Sequence, residues 1–314
     1  MHFERFATRG RQLRLSSRAI ALFAVGCIAL TTALPAAAAT LDRIRETGRI
    51  KFGYLVDARP FSFQNAAGDP EGYGVTLCQR VAVRVKAQLA LSDLAVDWVP
   101  VTIENRMQQI QDGSIDLLCT PASVTSEHRQ NVSFSIPVFP GGNRAVLRAD
   151  APTALRDTLS GASGTRPVWR GSPATKVLQG TSIAVVTGTS TQKWLEKRRA
   201  ELQIDAKIVP VPDYRTALQQ LADHKVDVVF GDRAVVLGAM DESQRKNLVV
   251  LDRLYTYELL AFPLARGDED FRLSVDSALS ELYASDEFLG LYEKWGGKVN
   301  ENTRKFFQWN TLPQ

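Results

Sequence analysis

The sequence predicts an α/β protein built as two similar lobes, each a mainly parallel sheet flanked by helices. Three observations lead there. Extended and helical patterns alternate along most of the chain, which argues for parallel strands with helices on the sheet faces. A pattern recurs in the two halves, "MQQIQDGSIDLLC" and "LQQLADHKVDVVF", each a helix end, a tight turn, an Asp and a buried strand. Finally, about 275 residues remain once a leader is set aside, long for one core and comfortable for two.

Residues 1–39 form that leader. Arg5, Arg9, Arg11, Arg14 and Arg18 stand against the single acid Glu4, and the apolar stretch "AIALFAVGCIALTTAL" and the small-residue run "PAAAAT" follow. A basic head, a short apolar run and a small-residue cleavage site read as a secretory signal peptide cut after Ala39, since a retained span needs about 20 apolar residues. Cys27, after "AVG", offers the alternative of a lipid anchor. The full chain carries 38 Lys and Arg against 34 Asp and Glu; taking away the leader's five Arg and one Glu leaves 33 of each. The exported chain is therefore close to neutral, without the basic footprint of a nucleic-acid binder.

"RIKFGYL" reads as the first strand, and "GVTLCQRVAVRVKAQLAL" spaces Val75, Cys78, Val81, Ala82, Val85 and Leu89 along one helix face. "AVDWVPV" is extended, "TIENRMQQIQDG" is a helix with Thr102 as N-cap and Gly113 beyond its end, and "SIDLLC" is a buried strand. In the second half "TSIAVV" leads through "TGTST" into a helix over 192–200. "AKIVPVP", the helix "YRTALQQLADHK" and the strand "VDVVFGD" follow. The Gly, Ser and Pro content of 157–175 predicts a surface loop between the halves. Helical "DFRLSVDSALSELYASDEFLGLYEKWGG" and an irregular tail end the chain, with Trp194, Trp295 and Trp309 as packing residues. A closing helical stretch packs most economically on the first lobe. The chain then crosses twice between lobes, through a two-strand hinge. The lobes are assigned as 40–142 with 255–314, and 143–254.

Cys78 and Cys119 are the two cysteines left after processing, and in an oxidising compartment an even pair predicts a disulfide. His128 and His224 lie far from any Cys, Asp or Glu arrangement with metal-ligand spacing; neither a metal nor another cofactor is expected.

The segment "SVTSEHRQ" places Ser123 and Thr125 directly after a buried strand. In an open parallel sheet that end borders the crevice where ligands sit. Hydroxyls, helix-start N–H groups and a cation there make an anion site; the bland alternative is a capped helix with a solvated Arg129.

The ordered set "LDRIRETGRIKFGY", "RPFSFQNAAGDPEGYGVTLCQRVA", "PVTIENRMQQIQDGSIDLLC", "SVTSEHRQNVSFSIPVF", "LQGTSIAVVTGTST", "VDVVFGD" and "LYEKWGG" covers nearly all of 41–297. In this order the chain resembles the periplasmic polar-amino-acid-binding proteins of ABC importers, most of all their glutamate/aspartate branch. The resemblance implies a periplasmic-binding-protein (Venus-flytrap) fold that closes on one small ligand and delivers it to membrane permease subunits, as a monomer in the periplasm. It matches the family's carboxylate hydroxyl to Ser123 and a backbone carbonyl to Pro121. The second-lobe carboxylate turn falls on Gly188, Thr189 and Ser190, the acid that meets the ligand ammonium on Asp232, and an arginine for a side-chain carboxylate on Arg106. Two positions depart. The family's carboxylate-binding arginine falls on His128, with Arg129 one residue late; because a guanidinium fork suits a carboxylate better than imidazole does, Arg129 is expected to be the cation and His128 a wall or helix-entry residue. The early pocket positions fall on Leu55 and Ala58; an apolar Leu55, where the acidic branch has a basic anchor, weakens the case for glutamate or aspartate and leaves two alternatives, that Arg106 alone suffices or that the ligand is a less polar or smaller carboxylate.

A receptor for a small carboxylate-bearing solute, without enzymatic activity, is the leading expectation. An exported dehydratase on the same scaffold, akin to cyclohexadienyl dehydratase, would need a pocket acid or base, for which Glu127 and His128 are the candidates. A sensor lobe serving a membrane kinase would need a separate partner chain.

Overall fold

A computed structural model describes residues 40–161 and 173–313. The expected signal peptide over 1–39, the alternative anchor at Cys27 and the middle of the 157–175 loop lie outside these residues. The ends of that loop are helical: Thr153–Ser160 runs into it and Pro173–Leu178 leaves it.

Two five-stranded sheets carry the fold. In the first, Arg49–Leu55 lies between Ala95–Val101 and Leu117–Leu118, parallel to both. Pro263–Ala265 then pairs antiparallel with Leu117–Leu118 and with Val132–Phe134. The second sheet repeats the plan. Ser182–Val186 is parallel to Lys207–Val211 and to Val228–Asp232, and Asn143–Arg148 pairs antiparallel with Val228–Asp232 and with Leu248–Val250. Each sheet therefore has one reversed strand, and in both it is the strand next to a chain crossing. Hydrophobic side chains of the strands pack against flanking helices on both faces, as a parallel sheet requires.

The repeated sequence pattern has a physical cause. Its Asp is Asp116 in the first sheet and Asp227 in the second. Asp116 Oδ2 accepts from the Lys51 N–H at 2.8 Å, and Asp227 Oδ2 accepts from the Ser182 N–H at 2.8 Å. Each carboxylate satisfies a backbone donor at the start of the neighbouring strand and fixes the register there.

The halves are joined at two adjacent crossings. Phe139–Gly141 and Glu258–Ala261 pair antiparallel, and Asn143 N–H donates to Thr256 Oγ1 at 2.9 Å. Gly142 sits between them at φ 154°. A Cβ there would lie 2.1 Å from the Thr256 carbonyl oxygen, so only glycine fits this close approach.

Helix Tyr73–Gln88 starts where Gly74 presses on the Cys119 carbonyl; an added Cβ would be 2.0 Å from that oxygen. Four residues on, Cys78 is bonded to Cys119 with Cα atoms 6.0 Å apart, closing a separation of 41 residues. Helix Glu269–Tyr283 packs on Tyr73–Gln88 in one core that also takes Phe288 and Tyr292 from Glu287–Gly296.

Three local expectations change. The predicted helix at Thr102 begins at Arg106, because Thr102 Oγ1 accepts from the Asn105 N–H at 3.3 Å and holds a turn ahead of it. The tail is not irregular: Glu301–Asn310 is a helix capped by Asn300, whose side chain accepts from the Thr303 N–H at 2.9 Å, and Phe307 inserts between Phe288 and Tyr292. Trp309, on the opposite side of that helix, is 79% exposed and is no packing residue.

Two predictions follow from the packing. Asp276 is buried, and burial pushes its carboxyl up to about 6, against the Ile136 N–H and the Arg272 guanidinium, which favour the charged form. Its folded value lies above the ordinary one, so the native state binds the proton more tightly. The stabilisation is whole below the ordinary carboxylate range and is lost as pH rises through about 6. Wild-type stability is expected to fall by roughly 3 kcal/mol between pH 4 and pH 7 from this group, and urea melts of Asp276→Asn should lack that slope. Replacing Cys78 and Cys119 with Ala should cost about 4 kcal/mol by the loop-entropy relation, read as a lower urea midpoint, with a higher m-value because the denatured chain without the bridge exposes more surface.

Candidate ligand-binding site

The carboxyl ends of parallel strands from both sheets face one cavity of about 390 Å³, the place where open α/β sheets hold ligands. The first sheet contributes Leu55 and Ala58 after Arg49–Leu55, Arg106 after Ala95–Val101, and Pro121, Ser123 and His128 after Leu117–Leu118. The second contributes Thr189 and Ser190 after Ser182–Val186, Tyr214 after Lys207–Val211, and Asp232 at the end of Val228–Asp232. Nine of the ten residues selected from sequence therefore border one space. Arg129 does not. It is exposed, and its carbonyl oxygen accepts from Arg266 at 2.9 Å.

Arg129 and His128 are thus reversed from expectation. Thr125 Oγ1 accepts from the His128 N–H at 3.0 Å and starts the short helix His128–Asn131. One residue along a helix turns a side chain by about 100°, so the turn that points His128 inward points Arg129 out. His128 Nδ1 lies 2.9 Å from the Ser123 carbonyl oxygen, to which it donates, and its ring packs near Phe134.

Among the described residues lining the cavity, Arg106 is the one Arg or Lys. Its Nε is enclosed and has no hydrogen-bond partner. Burial pushes its pKa down, opposed by Tyr214 and Glu104 nearby. An enclosed guanidinium nitrogen without an acceptor is costly, a cost that pairing of Arg106 with an anion would offset.

Of the acids lining the cavity, Asp57 is paired with Arg215 at 3.0 Å, and Asp213 accepts from the Thr216 N–H at 2.7 Å as a helix cap. Asp232 is different. Its Oδ1 accepts from the Ala234 N–H at 2.9 Å, and its Oδ2 from the Gly142 N–H in the crossing at 2.9 Å. Burial pushes its carboxyl up, against these backbone N–H groups, and neighbouring Glu258 adds to the rise. A buried carboxylate with an acid beside it gains most from a cationic partner.

Glu258 is the residue that the sequence did not disclose. Its Oε2 accepts from Ser123 Oγ and from Ser190 Oγ, the latter at 3.1 Å, so it touches hydroxyls from both sides of the cavity. Its Oε1 accepts from Asn143 Nδ2 at 2.9 Å and from Thr256 Oγ1 at 2.9 Å. Asn143 in turn accepts from Thr191 Oγ1 at 2.6 Å. Tyr214, fully enclosed, has its pKa raised by burial first and then by Asp232 and Glu258. No spacing links Glu258 to Ser123; they meet because Leu260 pairs with Ser123 and Glu258 with Gly141 across the two crossings.

Thr189 caps helix Ser190–Leu202, accepting from the Gln192 N–H at 3.3 Å, and its hydroxyl donates to the Val186 carbonyl at 2.7 Å. It shapes the turn that presents Ser190. Glu127, one of the two acid–base candidates, is exposed and ion-paired with Lys193; the Lys193 hydrogen bond and charge hold its carboxyl low. It faces solvent rather than the cavity. Among the described residues there is no His, Cys, Asp and Glu cluster able to hold a metal, and no helix long and apolar enough to cross a membrane.

Solved structures of similar shape include amino-acid-binding proteins. A crystal structure of an ancestral amino acid-binding protein, described as a precursor of cyclohexadienyl dehydratase, superposes with a TM-score of 0.66 at 24% identity, covering 82% of this chain and 99% of that one. A variant of ArgBP from T. maritima superposes at 0.65 with 23% identity, covering 82% and 99%. These likenesses establish the two-lobed fold. The L-glutamate/L-aspartate-binding protein of Pseudomonas aeruginosa is 26% identical over 258 residues, 82% of this chain and 79% of that protein. The cyclohexadienyl dehydratase of the same species is 28% identical over 211 residues, 67% and 69% of the two chains. Residues 50–298 match the bacterial extracellular solute-binding proteins, family 3, and the chain belongs to that family.

Proposed function

We propose that this protein is a periplasmic receptor that captures a small carboxylate-bearing ligand, an amino acid or a close relative, and delivers it to an ABC-type permease. On this reading the leader is removed after Ala39. The lobes comprise 40–142 with 255–314, and 143–254, and the protein works as a monomer without changing its ligand.

One observation carries the reading. A single cavity between the two sheets holds a half-buried guanidinium at Arg106, whose Nε has no partner, and a half-buried carboxylate at Asp232. Opposite fixed charges in one small space suit a zwitterion, whose acid neutralises Arg106 while its ammonium meets Asp232. Each charge is desolvated before the ligand arrives, so pairing recovers a cost already present in the empty protein. The lobes already touch across the cleft through the Arg215–Asp57 and Lys193–Glu127 ion pairs, and closure around a ligand would exclude water from the site. Leu55, Ala58, Pro121 and His128 supply walls that limit ligand size.

Isothermal calorimetry of the purified protein against the common amino acids and small organic acids tests this. One compound should bind, and Arg106→Ala and Asp232→Asn should each weaken it at least 100-fold, about 3 kcal/mol. Asn at 232 keeps an oxygen for the Gly142 or Ala234 N–H, so the loss reports charge rather than misfolding. Unchanged affinity in both variants would remove this cavity as the site. The dehydratase alternative is checked on the same sample: prephenate or arogenate should give no ultraviolet change, and turnover would refute the receptor reading.

A further inference from the structure

The resemblance assigns Ser123 and the 188–190 turn to a ligand carboxylate, yet this chain has placed a carboxylate of its own there. Glu258 Oε2 accepts from both Ser123 Oγ and Ser190 Oγ, and the two hydroxyl oxygens are 3.1 Å apart. A serine hydroxyl has one proton. With both protons directed at Glu258, what these serines turn toward the cavity is lone pairs. The far oxygen is held just as firmly, by Asn143 Nδ2 and Thr256 Oγ1, each at 2.9 Å. Asn143 is itself oriented by Thr191 at 2.6 Å and is nearly fully buried, at 2% exposure. Four donors from four segments thus converge on one side chain, which leaves Glu258 little freedom to withdraw.

The cation side of the cradle is altered to match. His128 directs Nδ1 at the Ser123 carbonyl at 2.9 Å, and Arg129 points out of the cavity. A second carboxylate at this end would find no guanidinium, no free hydroxyl proton and a like charge beside it. Like charges brought together in such a space oppose binding by a factor well above ten.

We propose that Glu258 is the built-in occupant of the carboxylate cradle formed by Ser123 and Ser190 and sets ligand specificity, so that this end of the cavity takes an ammonium or other N–H donor while the ligand's acid goes to Arg106. The ligand class is then an amine and a single carboxylate separated along a short chain, in preference to an α-amino acid seated by its α-carboxylate. This assignment of ends rests on the receptor reading; the occupancy of the cradle does not.

The two parts are tested separately. First, formate serves as a free carboxylate. To silence the anion site at Arg106, all variants in this test carry Arg106→Ala: formate should raise the melting temperature of Arg106→Ala/Glu258→Ala saturably, by roughly 2–4 °C, and leave Arg106→Ala and the Arg106→Ala/Ser123→Ala/Glu258→Ala triple variant unmoved. Formate acting equally on Arg106→Ala and Arg106→Ala/Glu258→Ala, or on neither, overturns the occupancy. Should Glu258→Ala fail to fold, Glu258→Gly and Glu258→Ser provide the same vacated cradle. Second, calorimetry compares L-glutamate with γ-aminobutyrate, which differ by the α-carboxylate alone. Wild type should bind γ-aminobutyrate at least as tightly as L-glutamate, and Glu258→Gln should shift the ratio at least tenfold toward L-glutamate. A wild type that loses 100-fold on removal of the α-carboxylate, with a ratio unmoved by Glu258→Gln, overturns the assignment of ends. Failure of both compounds to bind wild type counts against the receptor reading for these solutes, while the formate result still decides the cradle.

Discussion

Asp232 accepts hydrogen bonds from Gly142 in one crossing and from Ala234 at the start of the following helix, and Glu258 lies in the other crossing, paired with Gly141. The geometry of the cavity depends on this junction. Because Gly142 approaches the Thr256 carbonyl more closely than any Cβ allows, the crossings stay side by side, and the two carboxylates they position remain neighbours. Burial and mutual repulsion make that arrangement expensive without a cation. The same low-dielectric surroundings that raise the Asp232 pKa are what would make an ammonium bound there worth a large free energy.

Charge balance in the cavity points the same way. Asp57 is neutralised by Arg215 from the other lobe and Asp213 caps a helix of its own, and the groups left without full compensation are Arg106 on one side and the Asp232–Glu258 pair on the other. The site is pre-formed by the protein's own hydrogen bonds, so binding need not order it. That reduces the entropic cost of association.

Much of this was legible in the sequence because parallel α/β folds place function at a fixed address. Residues that follow a buried strand reach the crevice, which marked Ser123 from its position alone, while Arg106, Ser190 and Asp232 were selected by the family resemblance. The repeated Asp was visible for a similar reason: Asp116 and Asp227 each secure the next strand locally. Glu258 was not legible. It lies on an antiparallel crossing strand, and its contacts are with residues up to 135 positions away, so no local pattern marks it. His128 and Arg129 failed for a narrower reason. Sequence placed a cation near Ser123, but a single residue of helical phase, set by the Thr125 cap, decides which of the two turns inward. The tail was misread because the helix Glu301–Asn310 is stabilised by Phe307 in a distant aromatic cluster rather than by its own propensity.

A crystal structure with the native ligand bound addresses the central claim most directly. The account predicts the ligand's acid within hydrogen-bond distance of Arg106 and its positive end against Asp232 and Glu258, with Glu258 still joined to Ser123 and Ser190. A ligand carboxylate seated on Ser123 and Ser190, with Glu258 swung away and Arg106 left without an anion, would contradict it.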